Sequence, residues 1–138
     1  MRLRNIPGAK EAIAGSNYCV QEPEKLAGQW CHYFPKNQPL HIEIGMGKGK
    51  FLMELAAAHP EINYLGIERY TSVLYRAVQK MDLCPLSNLY FTCFDAARIT
   101  DLFLPGEITR IYLNFSDPWP KDRHAKRRLP SREFLTRY

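Results

Sequence analysis

The chain has 138 residues, 46% hydrophobic and 24% charged, with a formal net charge of +5. That balance suits one globular domain with a sizeable core, and it excludes a disordered chain and, with no long apolar span, a membrane protein. The charge excess is local: residues 121–137 carry seven Lys or Arg against two acids, residues 1–120 carry twelve of each sign, and the basic stretch points to a polyanion such as nucleic acid.

Residues 1 to about 20, with Arg2, Arg4, Lys10, Pro7 and two glycines, lack periodicity and read as a basic arm, mobile unless docked. Glu22 to Trp30 reads as a short helix containing Gly28. Together they form an N-terminal segment, 1–37, ahead of a main domain over 38–138. There the pattern sharpens into a strand at Leu40–Ile44, then a helix at Lys50–His59 with Phe51, Leu52, Leu55 and Ala58 on one face. A strand at Ile62–Ile67, a helix at Thr71–Met81 and a strand at Leu89–Phe94 follow. A short helix at Ala96–Leu102, a fourth strand at Ile108–Phe115 and a helix starting near Ser131 complete the series.

Strands alternating with helices at this spacing predict an α/β fold, a mostly parallel sheet with right-handed crossovers and helices on both faces. The last helix stops at Tyr138 with no strand after it, and four strands alone would leave the fourth as an unprotected apolar edge. The expectation is therefore a C-terminally truncated domain.

Cys19, Cys31, Cys84 and Cys93 show no C-x-x-C spacing and no signal peptide precedes them, which reads as reduced cysteines in a cytoplasmic protein. His32, His41, His59 and His124 are scattered without metal-ligand spacing, so no metal is expected. Oligomeric state is left open between monomer and homodimer.

The chemistry concentrates at the strand ends. Glu43-Ile44-Gly45-Met46-Gly47-Lys48-Gly49 is a glycine turn between the first predicted strand and its helix, where missing side chains let a ligand approach backbone donors. A Walker-type phosphate loop cannot be written here, because the Gly-Lys pair falls at the wrong offset and Lys50 is followed by Phe51. A nicotinamide fingerprint would place a small residue at position 50 and no carboxylate at position 43. A ligand with a cationic amino group and a sulfonium would welcome that charge. Glu68 ends the second predicted strand nineteen residues after Gly49, where an acid accepts from ribose hydroxyls. Asp95 and Asp117 end the third and fourth. Four acids on one sheet edge repel one another unless a ligand supplies donors.

Beyond the fourth strand stand Ser116-Asp117-Pro118-Trp119-Pro120-Lys121 and then Arg123-His124-Ala125-Lys126-Arg127-Arg128. With the glycine turn and Gly66-Ile67-Glu68-Arg69, this stretch resembles the S-adenosylmethionine-dependent methyltransferases. Within them it is similar to the tRNA (guanine-N7-)-methyltransferases, over about residues 38–138. The resemblance implies a Rossmann-like class I methyltransferase fold and S-adenosylmethionine bound by Glu43, Gly45, Gly47, Glu68, Asp95 and Asp117. It further implies Asp117 as the active-site acid, Lys121 as a substrate contact, and Arg123, His124, Lys126, Arg127 and Arg128 against tRNA, with the variable-loop guanosine (position 46) as target. Members of this family continue into further strands carrying another substrate-contacting aspartate and a Thr-x-x-Glu type motif, which this sequence does not contain. Trp119 reads equally as a stacking partner for a base and as a loop anchor. Rival readings are an exocyclic-amine methyltransferase, because Asn114–Trp119 resembles an Asp-Pro-Pro-aromatic loop, a truncated non-catalytic RNA-binding module, and a nicotinamide oxidoreductase supported by Glu68 and the glycines.

Overall fold

The computed structural model describes residues 7–113. Five parallel strands form one sheet: β1 (Cys19–Val20), β2 (Leu40–Ile44), β3 (Asn63–Glu68), β4 (Leu89–Cys93) and β5 (Arg110–Leu113). Their spatial order is β1-β4-β3-β2-β5. The helices are α1 (Ala9–Ala14), α2 (Trp30–Tyr33), α3 (Lys50–Ala58) and α4 (Thr71–Leu83), with 3-10 helices at Pro23–Leu26 and Ala96–Asp101.

Strand alternation divides the core into two layers. Leu40, Ile42 and Ile44 of β2 point to one face, packing with Leu65, Ile67, Trp30, Phe34, Ile99 and Leu102. The opposite face joins Tyr64, Leu89 and Phe91 to Leu52 and Ala56 of α3 and to Leu74, Ala77, Val78 and Met81 of α4. Trp30 is almost wholly buried, and its indole N–H donates to the Leu102 carbonyl at 2.7 Å, as a buried tryptophan requires. Helices thus cover both faces of a parallel sheet, as the alternating pattern predicts.

Several local expectations change. Within the predicted arm, Ala9–Ala14 form α1, which buries Ala9 and Ile13 and packs on α4, and Cys19–Val20 add a fifth strand beside β4. Buried Thr92 fixes that strand by donating to the Val20 carbonyl at 3.0 Å. The helix expected at 22–30 is instead a 3-10 turn and the separate α2, because Gly28 sits at φ 81 and Glu107 draws the intervening backbone to itself. Its carboxylate accepts from the N–H groups of Gly28 and Trp30. The helix expected at 96–102 is a 3-10 helix kinked at Arg98. On α3 the buried face is Leu52 and Ala56, while Ala58 is exposed and Phe51 lies 43% exposed against the Tyr112 ring, with centroids 5.4 Å apart. Among the described residues the fourth predicted strand, β5, stands last in the sheet order. Phe115 and the helix expected near Ser131 lie outside the described residues.

Candidate functional site

From β2 the chain steps in one direction to β3 and β4, whereas β5 pairs on the other side of β2. The strand order therefore reverses between β2 and β5, and in open parallel sheets ligands bind at the carboxyl ends of strands flanking such a switch. Register puts Ile44 opposite both Ile67 and Leu113, so the glycine turn leaves the sheet between the ends of β3 and β5.

The turn is anchored on β3: the N–H groups of Gly45 and Met46 both donate to the Ile67 carbonyl, at 2.9 and 3.2 Å. Two glycines in it serve different ends. Gly49, at φ +82, caps α3, and a β-carbon there would meet the Ala77 β-carbon at 3.1 Å and the Met46 methyl at 3.2 Å, so its bareness lets α3 and α4 close on the sheet. Gly47, at φ +61, has nothing among the described residues within 4 Å of where a β-carbon would project. Space is therefore open above its backbone, as a ligand approaching the main chain needs.

The acids reach the same edge at different depths. Glu43 is the fourth of five residues in β2, points with His41 to the α3 side, and is fully buried. Glu68 ends β3 and is 8% exposed; its Oε1 accepts from the Gly47 N–H at 3.0 Å and its Oε2 from the Tyr70 N–H at 3.2 Å. Asp95 lies two residues past β4, exposed, and caps the following 3-10 helix by accepting from the Ala97 N–H at 3.0 Å. Glu43, Gly45, Gly47 and Glu68 are thus brought together around the turn, with Asp95 at the end of the next strand. Asp117, Lys121, Arg123, His124, Lys126, Arg127 and Arg128 lie outside the described residues.

Sequence reasoning missed the backbone partners of Glu68. Residues 47 and 68 become neighbours only through the parallel pairing of β2 with β3, so no local motif announces the bond. It also missed the depth of Glu43, which period-two alternation signals: Leu40, Ile42 and Ile44 take one face and leave His41 and Glu43 on the other.

Beside Glu68, Cys93 holds the Arg69 carbonyl through its thiol at 3.5 Å, and burial, then the nearby carboxylate, pushes that thiol's pKa up. Arg69 in turn donates to the Tyr70 hydroxyl at 2.7 Å with its guanidinium over the Tyr70 ring.

A cavity of about 450 Å³ opens at the opposite, amino-terminal edge of the strands, lined by Trp30, Cys31, Phe34, Asn63 and Glu107. Two of its polar side chains are already paired: Asn63 donates to the Lys36 carbonyl, and Glu107 accepts from the Leu104 and Gly28 N–H groups. Among the described residues no helix is long and apolar enough to cross a membrane, and no group of three His, Cys, Asp or Glu side chains could hold a metal ion.

Residues 37–138 match the model of a family described as "Putative methyltransferase". Over all 138 residues the chain is 61% identical to a protein of Lachnoclostridium phytofermentans named tRNA (guanine-N(7)-)-methyltransferase. Proteins of the same name from Brevibacillus brevis and a Geobacillus species are 50% and 54% identical over the whole chain. The chain spans about 64% of the length of these curated relatives. A solved structure described as that of an antibiotic-related methyltransferase is 25% identical with a TM-score of 0.53, covering 80% of this chain and 52% of that one.

Proposed function

The chain belongs to the methyltransferase family whose model it matches, with its Rossmann-like parallel sheet, and from that premise we propose that the complete protein is a tRNA (guanine-N7-)-methyltransferase. In this reading it moves the methyl group of S-adenosylmethionine to N7 of the variable-loop guanosine, position 46. The observation that carries the reading is the whole-chain likeness, up to 61% identity, to proteins of that name. The strand-switch turn, bare at Gly47 and bordered by Glu68, supports it.

The residues fit the cofactor. Open space over Gly47 admits a ligand to the main chain, and Glu68 would accept from ribose hydroxyls with lone pairs that its two N–H partners leave available. Asp95 would bind the cofactor from the end of the next strand, and the buried Glu43 would contribute from β2 below the turn. When bound, S-adenosylmethionine supplies an electrophilic methyl on a sulfonium.

Guanine N7 holds an in-plane lone pair that is unprotonated at neutral pH, so its attack needs no general base. The protein's work is then positioning and electrostatics. Asp117 would accept from the N1 and N2 hydrogens of the guanine and offset the positive charge that methylation leaves on the ring. Pro118 and Pro120 would fix φ on either side of Trp119 and limit the entropy lost on binding. Lys121, Arg123, His124, Lys126, Arg127 and Arg128 would hold phosphates, a salt-dependent and sequence-independent contribution. Selection of the nucleotide would then rest on tRNA shape and an accessible loop base.

The test is methyl transfer from labelled S-adenosylmethionine to tRNA by the complete protein, followed by digestion to nucleosides. The label is expected in N7-methylguanosine. Label in an exocyclic-amine product would move the protein to the rival chemistry, and no transfer would leave only the binding-module reading.

A further inference from the structure

Glu68 joins two segments that are far apart in sequence. One carboxylate oxygen is held by the Gly47 N–H in the turn after β2, the other by the Tyr70 N–H at the entry to α4. At the apex of the turn the usual means of fixing a loop are missing. Gly47 has no side chain, and none of the described residues lies within 4 Å of where one would begin. The hydrogen bonds on either side fix Gly45 and Met46 to β3 and tie the Gly49 N–H to the Met46 carbonyl at 3.1 Å, leaving Glu68 as the group that receives the Gly47 N–H.

We infer that Glu68 is the clasp that sets the shape of the glycine turn before any ligand arrives, in addition to receiving the ribose. This rests on the reading of the rim as an S-adenosylmethionine site. Its physical basis is that an ionised carboxylate offers about four lone-pair sites, enough for two N–H groups and two ligand hydroxyls together. Bonds from N–H to a charged acceptor are also about twice as strong as neutral ones. A turn already fixed loses little freedom when the cofactor binds, so the clasp would raise affinity even for parts of the ligand that never touch Glu68. Glutamine at this position keeps the length but presents one oxygen and an NH2 group that cannot accept, so one of the two N–H bonds must be lost. Aspartate is shorter by one methylene and cannot span both donors.

The experiment uses the complete protein as wild type, Glu68→Gln and Glu68→Asp, with amide hydrogen exchange read by NMR without ligand. Exchange at Gly47 or Tyr70 is expected to quicken by roughly ten-fold or more, while the β2–β3 ladder amides stay protected and certify folding. Unchanged exchange at both in a folded variant would overturn the clasp. If neither variant folds, the wild type decides: the Gly47 and Tyr70 amides should be protected from exchange to the same degree as those of Gly45 and Met46, and exchange at the rate of a free loop would overturn it. Binding of 2′,3′-dideoxy-S-adenosylhomocysteine separates the clasp from simple ribose recognition. The clasp predicts that Glu68→Gln weakens this hydroxyl-free analogue several-fold, whereas unchanged affinity would refute it. A wild type that binds neither cofactor nor analogue would instead remove the proposed function and leave the exchange result standing.

Discussion

Replacing Gly49 and Gly47 separately by alanine should divide the cofactor turn into a packing half and a binding half. Both have positive φ, +82 and +61, so each alanine pays about 1–2 kcal/mol for left-handed backbone. At Gly49 the new methyl also lies 3.1 Å from the Ala77 β-carbon and 3.2 Å from the Met46 methyl, an overpacking that adds about 1–3 kcal/mol. Gly49→Ala should therefore cost about 2–5 kcal/mol in all. At Gly47 none of the described residues offers an atom to clash with, so the stability loss stops at the backbone contribution. Its methyl instead projects where a ligand approaches the main chain, and S-adenosylmethionine affinity should fall by roughly ten-fold or more. Urea unfolding gives the first quantity and calorimetric titration the second. Equal stability losses in the two variants, or wild-type cofactor affinity in Gly47→Ala, would refute this division.

His41 is 8% exposed, with its Nδ1 unpaired among the described residues; burial, then the positive charges of Arg110 and His59, lowers its pKa from 6.5. The unfolded chain then binds the extra proton first, so the neutral ring's share of stability is full above about pH 6.5 and declines as pH falls toward the lowered folded value. Glutamine is the non-titrating comparison: His41→Gln should flatten the acid-side fall of the urea midpoint, and an identical fall would remove His41 from it. Burial pushes the Cys19 thiol up to about 11, whereas Cys31 and Cys84 are exposed. A thiol reagent at mildly alkaline pH should label Cys31 and Cys84 first and Cys19 only on unfolding, which mass spectrometry of timed samples will read. Asp117→Asn should keep cofactor binding measurable while methyl transfer drops by about 10²-fold or more; near-normal turnover would take Asp117 out of the mechanism.

The elements that were legible in the sequence are those whose signal is carried by their own residues. β2, β3 and β4 are buried runs, and a parallel strand covered on both faces reads as continuous apolar sequence. α4 shows a helical period over thirteen residues. What stayed hidden depends on distant partners. β1 has only two residues and pairs with a strand some seventy positions away, and just before it the Tyr18 carbonyl accepts from the Phe91 N–H at 2.7 Å. α1 is six residues long and alanine-rich, and its buried Ala9 and Ile13 matter only because α4 lies opposite. Phe51 belongs to the apolar side of α3 by spacing, yet it lies over the Tyr112 ring of β5 and stays 43% exposed. The same contrast holds at the candidate site. Glu68 and the glycines are visible as a strand-end pattern, but the Gly47–Glu68 bond exists only because β2 and β3 run side by side in register.

The most direct measurement is a crystal structure of the complete protein with S-adenosylhomocysteine. The nucleoside is expected across the carboxyl ends of β2, β3 and β4, its ribose hydroxyls on Glu68 at the end of β3 and its chain over Gly47. A nucleoside seated at the other edge of the sheet, in the cavity beside Trp30 and Phe34, with Glu68 untouched, would contradict it.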